Sequence, residues 1–223
     1  AELPEHQREA FVERVDFHPL ALEQRLDSQI DGATKLVFKT RGGRRIESVL
    51  LRADTGRTTL CVSSQVGCAA ACDFCATGKM GLLANLTAGE IVDQVVQAGQ
   101  IVGGEGRQIR NVVLMGMGEP FHNERAVYGA LDTLTAGEMF NHPASRILIS
   151  TVGIPAAMLR CAERYPAVNL ALSLHAVRQE VREEIIPLAK KYPIDELHST
   201  ILQLNAIQPS TVMVEYLMLD GLN

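Results

Sequence analysis

The chain has 223 residues, 47% of them hydrophobic, and a formal net charge of −5. This composition predicts a folded domain with a sizeable core and excludes an intrinsically disordered chain. No apolar run is long enough to span a membrane, and the opening segment AELPEHQREAFVERV is charged rather than signal-like. We therefore expect a cytoplasmic protein that is not bound to a membrane.

The N-terminal part of the chain is predicted to combine helices with a basic hairpin. Residues 1–32 have apolar side chains at helical spacing, which predicts one or two helices. Residues 34–52 form two strand-like runs around Gly42-Gly43, which predicts a β-hairpin. Residues 35–57 carry seven basic and two acidic side chains, a local charge of +5 in an acidic protein. This segment is interpreted as a phosphate-binding patch or, equally, as a solvated hairpin.

From residue 58 onward, strand and helix patterns alternate. The predicted strands lie at 59–64, 111–116, 146–151, 168–175 and 211–219, and the predicted helices at 86–102, 124–137, 154–165, 178–186 and 194–207. This alternation is typical of parallel βαβ units in a barrel or an open sheet. We expect an accessory region over 1–57 and an α/β core over 58–223. Because five strands do not close a barrel, we expect this core to be incomplete at its C-terminus.

Three of the five cysteines lie within eight residues, after the first core strand: Cys68, Cys72 and Cys75. Clustered cysteines in a chain without an export signal indicate a metal site or catalysis rather than disulfides. Soft thiolates bind zinc or an iron–sulfur cluster. Three thiolates on a [4Fe–4S] cluster leave one iron open, and the spacing favours this cluster. A zinc site completed by Cys61 or a remote histidine, and three buried structural thiols, are the alternatives.

Four segments resemble the RlmN/Cfr family of radical S-adenosylmethionine (SAM) enzymes, which methylate adenosine in RNA. They are CVSSQVGCAAACDFCATGKMGLLANLT (61–87), VLMGMGEPFHN (113–123), ILISTVGIP (147–155) and NLALSLHAVRQEVREEIIPLAKKYPIDEL (169–197). The cysteine spacing, with Phe74 before the last cysteine, is the radical SAM pattern. The resemblance extends from about Glu47 to the end of the chain. It implies a partial (βα) parallel barrel, with a [4Fe–4S] cluster and SAM as cofactors.

The resemblance also implies roles for individual residues. The positions that match the cluster ligands are Cys68, Cys72 and Cys75. The positions that match SAM-binding residues are Gly118, Glu119, Ser150, Ser173, Leu174 and His175. Glu47 matches the proton acceptor of the family, and Cys61 matches the cysteine that resolves the protein–RNA adduct. From residue type alone, Glu47 would be a solvated strand residue and Cys61 a buried core thiol.

The family mechanism implied by the resemblance requires a further cysteine, in an A-C-G segment, that receives a methyl group from one SAM. A radical derived from a second SAM activates this methyl group for addition to adenine. The thiol at the Cys61 position then breaks the adduct through a transient disulfide. The chain reaches Asn223 without such a segment, so we expect the sequence to be truncated.

Two types of activity are compatible with the resemblance. RlmN-type members methylate carbon 2 of an adenosine in 23S ribosomal RNA and an adenosine in tRNA, whereas Cfr-type members methylate carbon 8 and confer antibiotic resistance. GMGEP and SSQVGC favour the RlmN type, while STVGI and KYPIDEL also fit the Cfr type. We expect the RlmN-type activity in a monomer that receives electrons from a donor such as flavodoxin or ferredoxin. Another radical SAM enzyme and a zinc-binding RNA module are the alternatives.

Overall fold

The structure is a computed structural model that describes residue 4 and residues 17–223. Its strands are β1 (Leu20–Asp27), β2 (Thr34–Thr40), β3 (Arg45–Arg52), β4 (Thr58–Cys61), β5 (Gln65–Gly67), β6 (Leu82–Asn85), β7 (Ile109–Leu114), β8 (Ile147–Thr151), β9 (Asn169–Ser173) and β10 (Met213–Glu215). Its α-helices are α1 (Ala76–Lys79), α2 (Ala88–Gly104), α3 (Glu124–Thr135), α4 (Pro155–Arg164), α5 (Gln179–Ile185) and α6 (Ile194–Ile207). Short 3-10 helices occur at Pro120–Asn123, Ala144–Arg146 and Pro187–Lys190.

One sheet in the order β1-β2-β3-β4-β7-β8-β9-β10 organises the fold. The strands β4, β7, β8, β9 and β10 are parallel neighbours. The strands β1 to β4 are antiparallel neighbours, so the predicted hairpin over 34–52 continues the same sheet. This confirms the predicted α/β class with a parallel core. Within the described residues the sheet is open, with β1 and β10 at its edges.

The helical prediction for residues 20–27 is wrong, because this segment is the edge strand β1. Its backbone pairs with β2 from Leu20 to Asp27, with one register shift between Leu22 and Gln24. Leu22 and Leu26, which suggested a helical face, are 41% and 51% exposed. Pairing with a strand edge satisfies the backbone hydrogen-bonding groups, and this tertiary interaction outweighs a weak local pattern. Residues 4, 17–19 and 28–32 are not helical either, and the remainder of the predicted helical segment, residues 1–3 and 5–16, lies outside the described residues.

The helices predicted in the core are confirmed, with ends that differ by a few residues. Thr87 precedes α2, and its hydroxyl accepts a hydrogen bond from the Glu90 backbone N–H at 3.2 Å. The Glu90 carboxylate in turn accepts from the Thr87 backbone N–H at 2.8 Å, which completes a capping box. The strands β5 and β6 were not predicted; they form a separate two-stranded sheet. No helix within residues 17–223 is long and apolar enough to cross a membrane.

Buried and half-exposed side chains alternate along the strands of the large sheet. The buried face includes Leu50, Leu60, Val112, Ile147 and Leu170, each at most 1% exposed. It packs against apolar side chains of α2, α3 and α4, such as Ile91, Leu131 and Met158. The half-exposed face carries the predicted site residues Glu47, Cys61, Ser150 and Ser173. Since side-chain directions alternate with period two, the strand register places these four residues on one face.

Candidate functional site

A cavity of about 240 Å³ lies at the carboxyl ends of the parallel strands. Its wall contains all three cysteines of the motif and most of the predicted SAM-binding positions. The predicted residues in the wall are Cys68, Cys72, Cys75, Gly118, Glu119, Ser150, Ser173 and His175. In parallel βα folds, the loops at this edge of the sheet are where binding and catalytic groups collect. The fold therefore brings together residues that are far apart in the sequence.

The three cysteines lie in the segment that begins after β5 and ends at the start of α1. Cys68 and Cys72 are 8% and 6% exposed, Cys75 is more exposed, and all three are free thiols. The Cys68 backbone N–H donates to the Gly81 carbonyl at 3.0 Å, and the Cys75 N–H donates to the Cys72 carbonyl at 3.1 Å. A Cβ atom on Gly78 would lie 2.9 Å from both the backbone nitrogen and the backbone oxygen of Cys72. The close approach of α1 to the cysteines therefore requires glycine at position 78.

The chemistry of these donors fits a soft metal cofactor. Burial raises the pKa of Cys68, and it raises the pKa of Cys72 to about 12. Thiolates form at such positions when a metal compensates their charge. In a cluster each thiolate binds a different iron, so three thiols spread over one cavity wall match this ligand set. Within residues 17–223, no group of three or more His, Cys, Asp or Glu side chains is arranged to hold a single metal ion.

Glu119 supplies a buried carboxylate to the same cavity, since it is only 2% exposed. Its two oxygens accept hydrogen bonds from the backbone N–H groups of Phe121 at 3.0 Å and Val152 at 2.9 Å. Burial raises the pKa of Glu119 to about 7, although these hydrogen bonds oppose the increase. A carboxylate of this kind is well suited to a cationic group such as an ammonium ion.

Gly118 allows the loop that follows β7 to approach β5. Its φ of 106° lies in the region that favours glycine, and a Cβ there would lie 2.6 Å from the Gln65 side chain. The Gln65 side-chain oxygen accepts a hydrogen bond from the Glu119 backbone N–H at 2.8 Å. The loop is thereby held against the small β5–β6 sheet, and this contact orients the buried carboxylate.

Ser150 and Ser173 share a carboxylate partner that was not predicted. Both hydroxyls donate to the same oxygen of Glu215, at 2.7 Å and 2.9 Å, and the two hydroxyl oxygens lie 3.2 Å apart. The register pairs Ser150 with Ala171 and Ser173 with Glu215, so the three polar side chains share one face of adjacent strands. Glu215 also lines the cavity. The signal for it in the sequence is a charged residue within an apolar strand of a parallel sheet.

Leu174 and His175 follow β9, and both backbone N–H groups donate to the Glu215 carbonyl, at 3.0 Å and 3.3 Å. The side chain of Leu174 is not part of the cavity wall, whereas that of His175 is. The Nδ1 atom of His175 accepts a hydrogen bond from the Leu217 N–H at 3.0 Å, and its ring packs edge-on against Phe74. Burial lowers the pKa of His175, so the neutral ring with its proton on Nε2 is favoured.

Glu47 and Cys61 lie outside the cavity wall. Cys61 pairs with Val49 across the β3–β4 ladder, and Glu47 is two residues earlier in β3, on the same face. The Glu47 carboxylate is 45% exposed and forms an ion pair with Lys35 at 3.2 Å. Burial raises the pKa of Cys61 to about 11, and the nearby backbone of Met115, a residue that lines the cavity, opposes this increase. The structure therefore brings both residues to the half-exposed face.

The positive charge of the hairpin is partly neutralised by ion pairs. These join Lys35 to Glu47, Arg45 to Glu23, and Arg52 to Glu105. A different basic surface lies at the amino ends of the strands, around a cavity of about 960 Å³. The arginines that line this cavity, here called the arginine rim, are Arg57, Arg107, Arg110 and Arg146. None of them forms an ion pair with another residue in the described part of the chain.

The chain is similar to curated RNA methyltransferases along most of its length. It is 59% identical over 212 residues to a Rhodopirellula baltica protein named as a probable RNA methyltransferase. This alignment covers 95% of this chain and 56% of the relative. It is 41% identical over 222 residues to the probable dual-specificity RNA methyltransferase RlmN of Thermus thermophilus. This alignment covers 100% of this chain and 62% of the relative. The chain thus spans about three fifths of the length of these relatives.

The fold is also that of a solved methyltransferase. A crystal structure of a radical SAM methyltransferase from Sphaerobacter thermophilus matches with a TM-score of 0.93 and 41% sequence identity, over 99% of this chain and 64% of that chain. A comparison with models of protein families found no match. High identity extends over nearly the whole chain and the fold agrees with that of a solved methyltransferase, so the chain is similar to the RlmN-type radical SAM RNA methyltransferases over the part of these proteins that it spans.

Proposed function

We propose that this chain contains the cofactor-binding part of an enzyme that methylates carbon 2 of an adenosine in 23S ribosomal RNA and in tRNA. The observation that carries the proposal is the convergence of three free thiols, a buried carboxylate and two serine hydroxyls on one cavity. This arrangement joins donors for a soft metal to groups that bind charged and hydroxyl-bearing ligands. The relatives named as dual-specificity RNA methyltransferases support RNA as the substrate.

Cys68, Cys72 and Cys75 would hold a [4Fe–4S] cluster, which supplies the electron that converts SAM into a radical. The residues of this chain bind and orient SAM. Glu119 holds the methionine ammonium group, because a cation offsets the cost of keeping its carboxylate ionised in a buried position. The hydroxyls of Ser150 and Ser173, oriented by Glu215, bind the polar part of the nucleoside. The packed rings of Phe74 and His175 exclude water from one wall of the cavity.

Glu47 and Cys61 act on the RNA in this proposal. Both lie on the half-exposed face, where a bulky substrate has access. Glu47 is the proton acceptor, and Cys61 is the nucleophile that releases the product. Since the pKa of Cys61 is raised to about 11, its thiol must lose a proton to a base before it attacks.

Methylation through a methyl-cysteine requires a further thiol, and none of the five cysteines lies in an A-C-G sequence. The complete reaction is therefore proposed for a protein that combines this chain with such a segment.

RNA would approach the half-exposed face, and the arginine rim would provide positive charge for its phosphates. The electron donor is proposed to be flavodoxin or ferredoxin, and the enzyme is proposed to act as a monomer in the cytoplasm.

The first test is anaerobic reconstitution of the chain with iron and sulfide. We expect a brown protein with about four irons per chain that cleaves SAM when dithionite is added. Single substitutions of Cys68, Cys72 or Cys75 by alanine should abolish both properties. Cys161→Ala is the matched control, because Cys161 is a buried thiol in α4, outside the cavity. A colourless chain that binds zinc instead would contradict the proposal and support a zinc-binding module.

The second test identifies the methylated carbon. A protein that joins this chain to an A-C-G segment is incubated with 23S ribosomal RNA fragments and tRNA, and the nucleosides are analysed by mass spectrometry. We expect 2-methyladenosine from both RNAs. A product of 8-methyladenosine would instead assign the Cfr-type activity.

A further inference from the structure

Arg182, in α5, is a buried charge without a carboxylate partner in the described part of the chain. Its side chain is 0% exposed, and residues 17–223 provide no Asp or Glu within ion-pair distance of it. A buried charge is costly unless an opposite charge compensates it. The anion that compensates this guanidinium is therefore a group other than the Asp and Glu side chains of residues 17–223.

The hydrogen bonds that Arg182 makes within residues 17–223 all go to neutral groups. The Nε atom donates to the Leu174 carbonyl at 3.1 Å, and Nη2 donates to the Val152 carbonyl at 2.5 Å and the Ser173 carbonyl at 3.4 Å. These carbonyls belong to the ends of β8 and β9 and the residues that follow, beside the cavity. The Nη1 atom is buried and has no hydrogen-bond partner among the same residues. The carbonyls fix the position of the guanidinium, but they leave its charge uncompensated.

The cysteine segment is the neighbour that can provide a negative charge. The helix α5 packs on it, because Val181 and Ile185 belong to the same apolar cluster as Cys68 and Cys72. The Asp73 backbone N–H also donates to the Ile185 carbonyl at 2.9 Å. Burial lowers the pKa of Arg182 to about 10, and negative charge at Cys72 opposes this decrease. Arg182 therefore remains a cation at neutral pH, within electrostatic reach of a cysteine expected to bind iron.

We propose that Arg182 is a positioning residue whose buried positive charge is matched by the anionic cysteine–cluster site and which makes one-electron reduction of that site more favourable. The inference rests on the proposed function, because it assumes that the three cysteines hold a [4Fe–4S] cluster. Three thiolates outweigh the charge of the oxidised core, so the site is anionic and gains one further negative charge, without a proton, when dithionite reduces it. A fixed cation stabilises the more negative state and thereby raises the reduction potential.

The test compares midpoint potentials of the reconstituted chain, measured by dithionite titration followed by electron paramagnetic resonance. Arg182→Gln removes the charge and should shift the potential to more negative values. Arg182→Lys retains the charge and should remain closer to the unsubstituted chain. Arg178→Gln is the matched control, because Arg178 is exposed and one helical turn earlier; it should leave the potential unchanged. An unchanged potential in Arg182→Gln, or equal shifts in the Gln and Lys variants, would overturn the inference.

A stability measurement covers the case in which Arg182→Gln takes up no cluster. Urea unfolding is recorded for the unsubstituted chain and for Arg182→Lys and Arg182→Met, each before and after reconstitution. Reconstitution should increase the free energy of unfolding of the unsubstituted chain. If the charges of the guanidinium and the cluster compensate each other, this increase is smaller in Arg182→Met than in Arg182→Lys. Equal gains in the three proteins would overturn the inference. An unsubstituted chain that binds no cluster would contradict the proposed function itself, whereas a normal cluster with an unaltered potential would contradict only the role of Arg182.

Discussion

Ser150 and Glu215 are joined by a 2.7 Å hydrogen bond that links β8 and β10, two strands that are not adjacent in the sheet. Ser173, on the strand between them, donates to the same carboxylate oxygen at 2.9 Å. One charged acceptor thus orients two hydroxyls at the edge of the cysteine cavity. Hydrogen bonds to a charged acceptor are stronger than those between neutral groups, so the polar end of the cavity is organised before a ligand binds.

Loss of this acceptor should weaken SAM binding. We expect Glu215→Ala to lower the affinity of the reconstituted chain for SAM about tenfold or more, since a hydrogen bond to a charged group contributes about 1.5–3 kcal/mol. The affinity is measured by isothermal titration calorimetry, and iron content should be unaltered. Glu163→Ala, an exposed site on α4, is the control. If both variants bind SAM as the unsubstituted chain does, Glu215 does not organise the site.

The buried carboxylate of Glu119 should make stability depend on pH. Its pKa is raised to about 7 from an ordinary value of 4.5. Between these values the folded chain retains a proton that the unfolded chain has lost, so stability falls as pH rises through this window. Glu119→Gln has no such carboxylate, so its free energy of unfolding should rise relative to that of the unsubstituted chain by up to about 3 kcal/mol across the window. Urea unfolding at a series of pH values measures the difference.

The same carboxylate should make SAM binding depend on pH in the opposite direction. Ionised Glu119 attracts the ammonium group of SAM, so affinity should increase as pH rises towards about 7 and then level off. Glu119→Gln should bind SAM weakly at every pH. For the stability measurement, the difference in unfolding free energy between Glu119→Gln and the unsubstituted chain should increase with pH. A difference that is independent of pH, or that falls as pH rises, would show that Glu119 is not buried as a protonated group.

Replacement of Gly78 should disturb the cysteine segment. A Cβ at this position would lie 2.9 Å from the Cys72 backbone nitrogen and oxygen, so Gly78→Ala requires α1 to move away from the cysteines. We expect iron uptake to fall by more than half. Gly103→Ala in α2 is the matched control, because a Cβ there meets nothing within 4 Å and should stabilise the helix by about 0.5–1 kcal/mol. Normal iron uptake in Gly78→Ala would contradict the requirement for glycine.

The arginine rim should contribute to RNA affinity. We expect the double variant Arg57→Gln, Arg110→Gln to bind an RNA hairpin more weakly, with a smaller dependence of affinity on salt, because each lost phosphate contact lowers the salt slope by about 1. Fluorescence anisotropy over a range of salt concentrations gives both quantities. Arg45→Gln, which breaks an exposed ion pair with Glu23, should bind almost normally. A similar loss of affinity in both proteins would assign the effect to overall charge.

Local patterns were sufficient for the alternating strands and helices of the core and for the cysteine spacing, but not for the short strands β5 and β6. The capping box at Thr87 and Glu90 and the turn at Gly42-Gly43 depend on residues close in sequence, and the structure contains both. The cysteine spacing is local in the same sense, and the three thiols share one cavity. The roles assigned to Glu47 and Cys61 stay predictions, since the structure shows their positions and not their chemistry. The RlmN-type family, inferred from motifs, agrees with the relatives and the solved fold.

Long-range contacts were not accessible to such patterns. Segment 20–27 is a strand because β2 offers it an edge, although its apolar spacing also suits a helix. Glu215 lies 65 residues from Ser150, and only strand order and register bring them together. Arg182 looks like an ordinary charge of an amphipathic helix, yet it is buried among the strand ends.

By itself, the sequence determined the alternation of strands and helices, the caps and turns, and the spacing of three clustered thiols, because each depends on neighbours along the chain. The tertiary structure alone decided which face of the sheet remains open, which basic residues are neutralised, and that Glu215 lines the cysteine cavity with Arg182 buried beside it. These outcomes depend on register and packing between distant segments, where burial and charge compensation, rather than local propensity, set the free energy.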